Sequence, residues 1–287
     1  MTKEPVFSIA TPTRNALRHL KRCVGSVKGQ SGVSVEHLVQ DALSDDGTQD
    51  FLRSTPGLLA VSEPDAGMYD AIQRAWSRSR GSYLAWLNSD EQYLPGTLAR
   101  IEAVFRERQD VDVIFGNYIV VRADGSPVAL RREIPFRPIY AANGFLYAQS
   151  CTLFFRRHLL DRGLLKFDLA LHYAADHDLM LRLAAHGVRM HHLAEYLALF
   201  GIDGGNLSGH AGMLQETVSV QSCHGGIAPR WARRLVFSGR SVERLLSGAY
   251  RSQSVSYRFA RDEMPQYQLF EAAALGGRYA LSDALPR

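Results

Sequence analysis

Short apolar runs alternate with helically spaced ones from the start of the chain. Val6-Phe7-Ser8-Ile9-Ala10 reads as a buried strand, which Thr11-Pro12-Thr13-Arg14-Asn15 breaks. Leu17, Leu20, Val24 and Val27 follow at helical spacing, and Val35 to Gln40 alternates as a second strand. That strand ends in the polar loop Asp41 to Thr48, near which a second helix starts. Leu58 to Ser62 reads as a strand, Met68 to Ser79 as a helix and Ser82 to Leu87 as a strand. Leu94 to Arg106 is again helical and Val111 to Phe115 again a strand. Such alternation predicts an α/β fold, a mostly parallel twisted sheet flanked by helices.

From residue 116 the pattern changes. Tyr118 to Val121 and Pro127 to Leu130 flank Ala123-Asp124-Gly125-Ser126, a hairpin signal with Asp-Gly at its turn. A loop-rich stretch with Pro135 and Pro138 leads to a strand at Cys151 to Phe155. Asp176 to Ala185 is an amphipathic helix and Glu195 to Phe200 a late strand. Gly201 to Gly212 is glycine-rich, and the chain beyond it reads as helical and arginine-rich to its end. The expected organisation is one domain over residues 1–214, split into halves at about 1–115 and 116–214, with a helical basic appendage over 215–287.

Composition narrows the class. With 287 residues, 46% hydrophobic and 22% charged, the chain can bury a core without disulfide or metal staples, and it is neither disordered nor fibrous. No window holds eighteen uninterrupted apolar residues, and Met-Thr-Lys-Glu-Pro is not followed by a signal-peptide apolar stretch. Cys23, Cys151 and Cys223 are few, odd in number and far apart, which suits a reducing compartment. The expectation is a cytoplasmic protein. The pairs His191-His192 and Cys223-His224 are side by side and do not suggest a structural zinc site.

The net charge of +4 hides an asymmetry. The arginines from Arg230 to Arg261 are accompanied by a single acid, Glu243, whereas Asp41, Asp65 and Asp90 each follow the carboxyl end of an expected strand. Open α/β sheets place their ligands at those ends. One such acid is ordinary turn chemistry; three in succession point to a shared site.

Several segments, in order, resemble family 2 glycosyltransferases of the GT-A fold. Gly81-Ser82-Tyr83-Leu84-Ala85-Trp86-Leu87-Asn88-Ser89-Asp90-Glu91 resembles their Asp-X-Asp region. Pro12-Thr13-Arg14-Asn15 looks like the end of their first strand, and Asp41-Ala42-Leu43-Ser44-Asp45-Asp46-Gly47-Thr48 like their Asp-Gly-X-Ser-X-Asp-Gly-Thr loop. Glu63-Pro64-Asp65-Ala66-Gly67-Met68-Tyr69-Asp70-Ala71 is similar to their Glu-X-Asp-X-Gly-X-Tyr-Asp-Ala segment. Asp176-His177-Asp178-Leu179-Met180-Leu181-Arg182 resembles the helix start that carries their base. The resemblance covers roughly residues 1–210. It implies a GT-A fold and transfer of a sugar from a nucleotide-diphosphate donor, a UDP-sugar favoured, to an acceptor hydroxyl with inversion, in polysaccharide or glycan assembly.

The resemblance also implies roles. Asp176 stands at the base position, preceded by Ala175 where the family often has an acid, and an N-cap role is its structural alternative. Asp41 meets the nucleotide base, with Thr11 and Thr13 at the base and ribose edge; Asp65 lies at the base or phosphate end. Arg74 either reaches the diphosphate or lies on a helix surface. Asp90 is the expected ligand of Mg²⁺ or Mn²⁺, with His210 in the glycine-rich segment a second metal candidate. Asn88 replaces the first acid of the stricter motif, which leaves strict metal dependence open, and it faces the ribose or a water. Gln149 and Ser150 fall on the acceptor side.

Two other classes share parts of this pattern. A nucleotidyltransferase would carry a glycine-rich, lysine-bearing phosphate loop after its first strand, where this chain has Thr11-Pro12-Thr13-Arg14-Asn15. A non-catalytic nucleotide-sugar-binding subunit is compatible with Asn88 and Ala175. Arg230-Trp231-Ala232-Arg233-Arg234-Leu235-Val236-Phe237 mixes arginine with apolar residues. Such a helix suits peripheral contact with an anionic membrane at its inner face, packing on the catalytic domain, or a subunit contact in an oligomer. The acceptor is then a glycan or lipid-linked glycan. No nucleic-acid reader motif is present.

Overall fold

A computed structural model of the chain describes residues 4–202, 211–264 and 266–278. Strands and helices alternate as the apolar pattern predicts: β1 (Phe7–Thr13), α1 (Leu17–Lys28), β2 (Val35–Asp41), α2 (Thr48–Ser54), β3 (Leu58–Ser62), α3 (Met68–Ser77) and β4 (Tyr83–Trp86). Next come the short β5 (Gln92–Tyr93), α4 (Thr97–Glu107) and the long β6 (Val113–Arg122). The expected hairpin forms between β6 and β7 (Pro127–Arg131), with Gly125 in the left-handed region at φ +90°. Then follow α5 (Pro138–Asn143), a 3₁₀ turn at Ser150–Thr152, β8 (Phe154–Arg156), α6 (His158–Asp161), α7 (Ala175–Ala185) and β9 (Met190–Ile202).

The main sheet runs β3-β2-β1-β4-β8-β6-β9-β5, with β7 added to β6. Its first four strands are parallel, while β8 is antiparallel to both β4 and β6. One face carries α1 and α4: Phe7 and Ile9 pack with Cys23, Val27, Leu98 and Ile101. The other carries α3 and α7, where Leu84 and Trp86 pack with Ile72, Trp76, Leu179 and Met180. Trp86 lies edge-on to Trp76, ring centres 5.6 Å apart, and stacks on Phe155 at 5.8 Å. Helices on both faces bury the strands on both sides, so the strands read as near-continuous apolar runs.

Two expectations need correction. The first strand does not break at Thr11 but runs to Thr13. Its pairing to β4 stops at Ala10 opposite Trp86, so Pro12 lies at a locally free edge where its missing N–H breaks no ladder bond. The chain is also not helical to its end. After α8 (Ala211–Cys223) and α9 (Arg230–Leu246) comes an antiparallel hairpin, β10 (Gln253–Ala260) with β11 (Tyr267–Leu275). Val255, Tyr257 and Phe259 alternate with exposed Ser254, Ser256 and Arg258, a period-two pattern that buries the apolar set against Ile119, Val121, Leu130 and Leu199. The Tyr257 hydroxyl donates to the Gly125 carbonyl at 2.6 Å, and Gln92 pairs with the Ala260 backbone in both directions.

Candidate active site

The carboxyl ends of β1, β2 and β4 open onto a cleft of about 1270 Å³. Its loops hold one another in place. Asn15 sits in the left-handed region at φ +49°; its backbone N–H donates to Ser44 Oγ at 2.8 Å and its Oδ1 accepts from the Asp45 N–H at 2.9 Å. Asn tolerates this backbone because its short amide bonds locally. Asp46 in turn accepts from the Leu17 N–H at the start of α1 and from Thr48. Ser44 and Thr48 thus shape the loop rather than face a ligand.

The sequence-predicted donor residues divide into two groups. Thr13, Asp65, Asn88 and Asp90 line the cleft. Thr13 Oγ1 and Asn88 Oδ1 are buried with no hydrogen-bond partner among the described residues. Burial raises the Asp65 carboxyl above its ordinary range, opposed by the N–H of Gly67. Thr11, Asp41 and Arg74 do not line it. Thr11 lies below the rim, its Oγ1 2.8 Å from Nε2 of His37, whose ring burial keeps neutral by drawing its pKa to about 3. The Asp41 carboxylate is fully buried and closed by the Ser44 hydroxyl and N–H and by Ser62 Oγ at 2.6 Å; its neighbour Ala42 reaches the cleft instead. Arg74 is turned along the flank, paired to Asp70 and Glu63 at 2.9 Å each.

In the middle of the cleft the loop after β4 presents Asn88, Ser89 and Asp90. Glu91 behind them is completely buried and accepts from the Asn88 N–H at 2.8 Å and from Ser150 Oγ at 2.7 Å. Burial, aided by the charge of Asp90, pushes its carboxyl well above the usual range. Gly201 on β9 passes so close that a methyl group there would fall 2.5 Å from the Asp90 carbonyl oxygen. Gln149 and Ser150 also line the cleft. His210 lies outside the described residues.

The residues present fit a divalent cation completed by ligand phosphates. Asp90 offers a carboxylate and Asn88 a buried carbonyl oxygen without a protein partner. Hard cations of this kind take oxygen ligands, often from only one or two carboxylates plus phosphate oxygens. Among the described residues no three His, Cys, Asp or Glu side chains gather to hold a metal unaided.

Asp176 enters the same cleft from the first turn of α7. It is not the N-cap: that position is Ala174, with no side-chain cap bond. Its Oδ1 accepts from the Tyr69 hydroxyl of α3 at 3.0 Å and from the His177 N–H at 2.8 Å. Burial raises the carboxyl to about 6, the two donors opposing the rise. Asp178 points elsewhere, holding Arg182 at 2.6 Å and His224, just past the end of α8, at 2.8 Å.

Two contributors from beyond residue 210 were missed by the sequence reading. Glu216 of α8 accepts from three successive backbone N–H groups, His172 (2.8 Å), Tyr173 (2.7 Å) and Ala174 (3.0 Å), immediately ahead of α7. It is the only charged residue between Ala211 and Cys223, and that isolation was the available signal. Arg240 of α9 lines the cleft as well; its spacing of four from Arg244 puts both on one helix face.

The sequence model of Glycosyl transferase family 2 matches residues 8–166. A PGL/p-HBAD biosynthesis glycosyltransferase of Mycobacterium bovis (strain BCG / Pasteur 1173P2) is 32% identical over 122 residues, which are 40% of this chain and 48% of that protein. The hyaluronan synthase of Pasteurella multocida is 25% identical over 197 residues, 67% of this chain and 20% of the synthase. The chain therefore spans about half or less of the length of these relatives. Among solved structures, S. aureus TarS 1–349 in complex with UDP-GlcNAc superposes with a TM-score of 0.61 at 16% identity, over 84% of this chain and 72% of that one. The mannosyltransferase PcManGT of Pyrobaculum calidifontis, in complex with GDP-Man and Mn²⁺, gives 0.58 at 18% identity, over 84% and 70%. These structural likenesses show the fold, that of GT-A transferases.

Proposed function

Because the chain belongs to glycosyl transferase family 2, we propose that its cleft moves a sugar from a nucleotide-diphosphate donor to an acceptor hydroxyl with inversion. The observation that carries the reading is Asp176, a carboxyl raised to about 6 that shares one cleft with the Asn88–Asp90 loop. Tyr69 and His177 both occupy Oδ1, so Oδ2 is the oxygen left for the acceptor hydroxyl. In the step proposed, Asp176 takes the hydroxyl proton while the acceptor oxygen bonds to the anomeric carbon. The bond from that carbon to the diphosphate oxygen breaks, and the nucleoside diphosphate leaves. A base with pKa near 6 is ionised at neutral pH and still accepts a proton readily.

Thr13, Asp65 and Asn88 form the donor wall in this reading, with a UDP-sugar the favoured donor. Asp90 and Asn88 would hold a Mg²⁺ or Mn²⁺ ion, which supplies charge neutralisation at the departing diphosphate when bound. Structural complexes of TarS with UDP-GlcNAc and of PcManGT with GDP-Man and Mn²⁺ support the choice of ligands, not the choice of sugar. We assign the donor and transfer chemistry to residues 1–214, acting on a glycan or lipid-linked glycan. The relatives' roles in PGL/p-HBAD and hyaluronan synthesis support glycan assembly.

Thermal-shift screening of UDP-, GDP- and dTDP-sugars identifies the donor, since a ligand that binds only the native state raises its melting temperature. Transfer by Asp176→Asn is then measured with that donor. A loss of 10²-fold or more in kcat, with donor binding retained, is expected for a lost general base. Near-normal transfer by the folded variant would reject the assignment.

The outer face of α9 supports peripheral contact with an anionic membrane. Trp231, Leu235 and Leu246 are 69%, 65% and 82% exposed, and Arg230 and Arg234 lie beside them. No described helix is long and apolar enough to cross a membrane. Flotation with liposomes containing phosphatidylglycerol, compared with neutral ones, tests the contact. Equal recovery of wild type and Trp231→Ser/Leu235→Ser would count against it.

A further inference from the structure

The acceptor end of the cleft holds more positive charge than the fold itself uses. Glu133, completely buried just beyond β7, bonds both Arg131 at 2.9 Å and Arg244 of α9, and Arg244 is itself buried. That one carboxylate serves two arginines and ties α9 to the sheet. One helical turn earlier on the same face, Arg240 reaches the cleft wall, its guanidinium 4.7 Å from the centre of the Tyr147 ring. No carboxylate lies within ion-pair distance of Arg240 among the described residues, and its Nε is buried without a hydrogen-bond partner. The nearest acid on α9, Glu243, is turned to Arg137 at 3.0 Å and Tyr140 at 2.9 Å. Burial draws the Arg240 guanidinium below its usual range; Glu133 opposes this and Arg244 and Arg131 add to it.

Arg240 is half-buried, and a guanidinium whose Nε is sealed from solvent and faces a cleft without a protein anion gains when a ligand supplies one. Tyr147, only 3% exposed, stacks on Phe136 with ring centres 5.7 Å apart and holds the guanidinium in place, while the exposed Phe145 lining the cleft offers an open ring face. Planar rings beside a planar cation suit a sugar ring bearing a charged substituent. Arg240 comes from α9, and Tyr147 lies two residues before Gln149 and three before Ser150, whereas the donor wall is built from β1, the segment before α3 and the loop after β4.

Resting on the transferase reading above, we infer that Arg240 and Tyr147 form a subsite for an anionic group, a carboxylate or a phosphate, carried by the acceptor rather than the donor. The tail then selects the acceptor. Helix α9 lines the cleft there with a guanidinium that has no carboxylate partner among the described residues.

The test uses the full chain saturated with UDP, or with whichever nucleoside diphosphate binds, and three acceptor probes: 4-nitrophenyl β-glucoside, its glucuronide counterpart and its 6-phosphate counterpart. Titration calorimetry gives the affinity of each. Wild type is expected to bind the better anionic probe at least about tenfold more tightly than the neutral one, the size of one charge-assisted hydrogen bond. Arg240→Gln should reduce that preference to near unity and leave the nucleotide Kd unchanged; Arg240→Lys should restore part of it. Which anionic probe wins separates carboxylate from phosphate. Equal affinities for all three probes in wild type would overturn the inference, as would weaker nucleotide binding by folded Arg240→Gln, which would place Arg240 on the donor diphosphate. Failure of every nucleotide to bind the wild type would instead overturn the transferase reading on which the inference rests.

Discussion

The Tyr69 hydroxyl donates to Oδ1 of Asp176 across 107 residues of sequence, at 3.0 Å, and so ties α3 to the first turn of α7. Both helices lie on one face of the sheet, and the Tyr69 ring packs on Phe167 with centres 4.9 Å apart. The bond stabilises the carboxylate form against the burial that raises it. Removing the hydroxyl alone leaves the ring contact and takes away that support. For Tyr69→Phe the acid limb of the kcat/KM profile should therefore move up from about 6 by roughly one unit, with little loss of stability. An unmoved limb in a pH-rate series would mean that the hydroxyl does not tune the base.

Asp176→Asn has a second signature, in stability. The folded carboxyl titrates at about 6 and the unfolded one near 3.8. The folded state therefore binds the proton more tightly, and ionising the group as pH rises from 4 to 6 destabilises the protein. Asparagine keeps an acceptor for Tyr69 and His177 and never ionises. The variant should match wild type at pH 4 and exceed it by about 2 kcal/mol above pH 7. Urea unfolding at the two pH values measures the difference, and a pH-independent gap would contradict the raised carboxyl.

Glu216 acts at a distance from the reacting atoms, through the loop 172–174. Glu216→Ala frees three N–H groups ahead of α7 and should cost about 2 kcal/mol of stability, the order of one or two charge-assisted bonds. If the loop positions Asp176, kcat falls about tenfold while donor KM holds. A variant less stable but unchanged in kcat would show a structural role only.

The Arg244–Glu133 pair is buried at both ends. Arg244→Met leaves Glu133 with Arg131 alone and should cost about 3 kcal/mol, as broken buried pairs do. Adding Glu133→Gln should recover part of that loss, because the uncompensated charge is gone. Denaturant midpoints of the single and double variants check the cycle.

The parts of the fold that were legible were those with local causes. Alternation marked β2, a short apolar run marked β3, and Asp-Gly marked the β6–β7 hairpin. The final hairpin was overlooked because its arginines and serines masked the alternation of Val255, Tyr257 and Phe259. At the site, Asp176, Asp90, Asn88, Asp65 and Thr13 do meet in one cleft. Thr11 carries the same chemistry as Thr13 but sits two residues deeper, about 7 Å along the strand, and so lies beneath α1 against His37.

By itself the sequence determined the order of strands and helices, the acids at the strand ends and the family, because periodicity and short motifs are local. Only the tertiary structure decided which of those acids meet the cleft and which are consumed inside the protein. Asp41 is closed by Ser44 and Ser62, and Arg74 by Glu63 and Asp70. It also decided that Glu216 and Arg240, from the far end of the chain, complete the site. The physical reason is that a buried charge goes where its partner is: those of Asp41 and Arg74 lie 3 to 21 residues away and those of Glu216 lie 42 to 44 away, and neither separation leaves a periodic trace in the sequence.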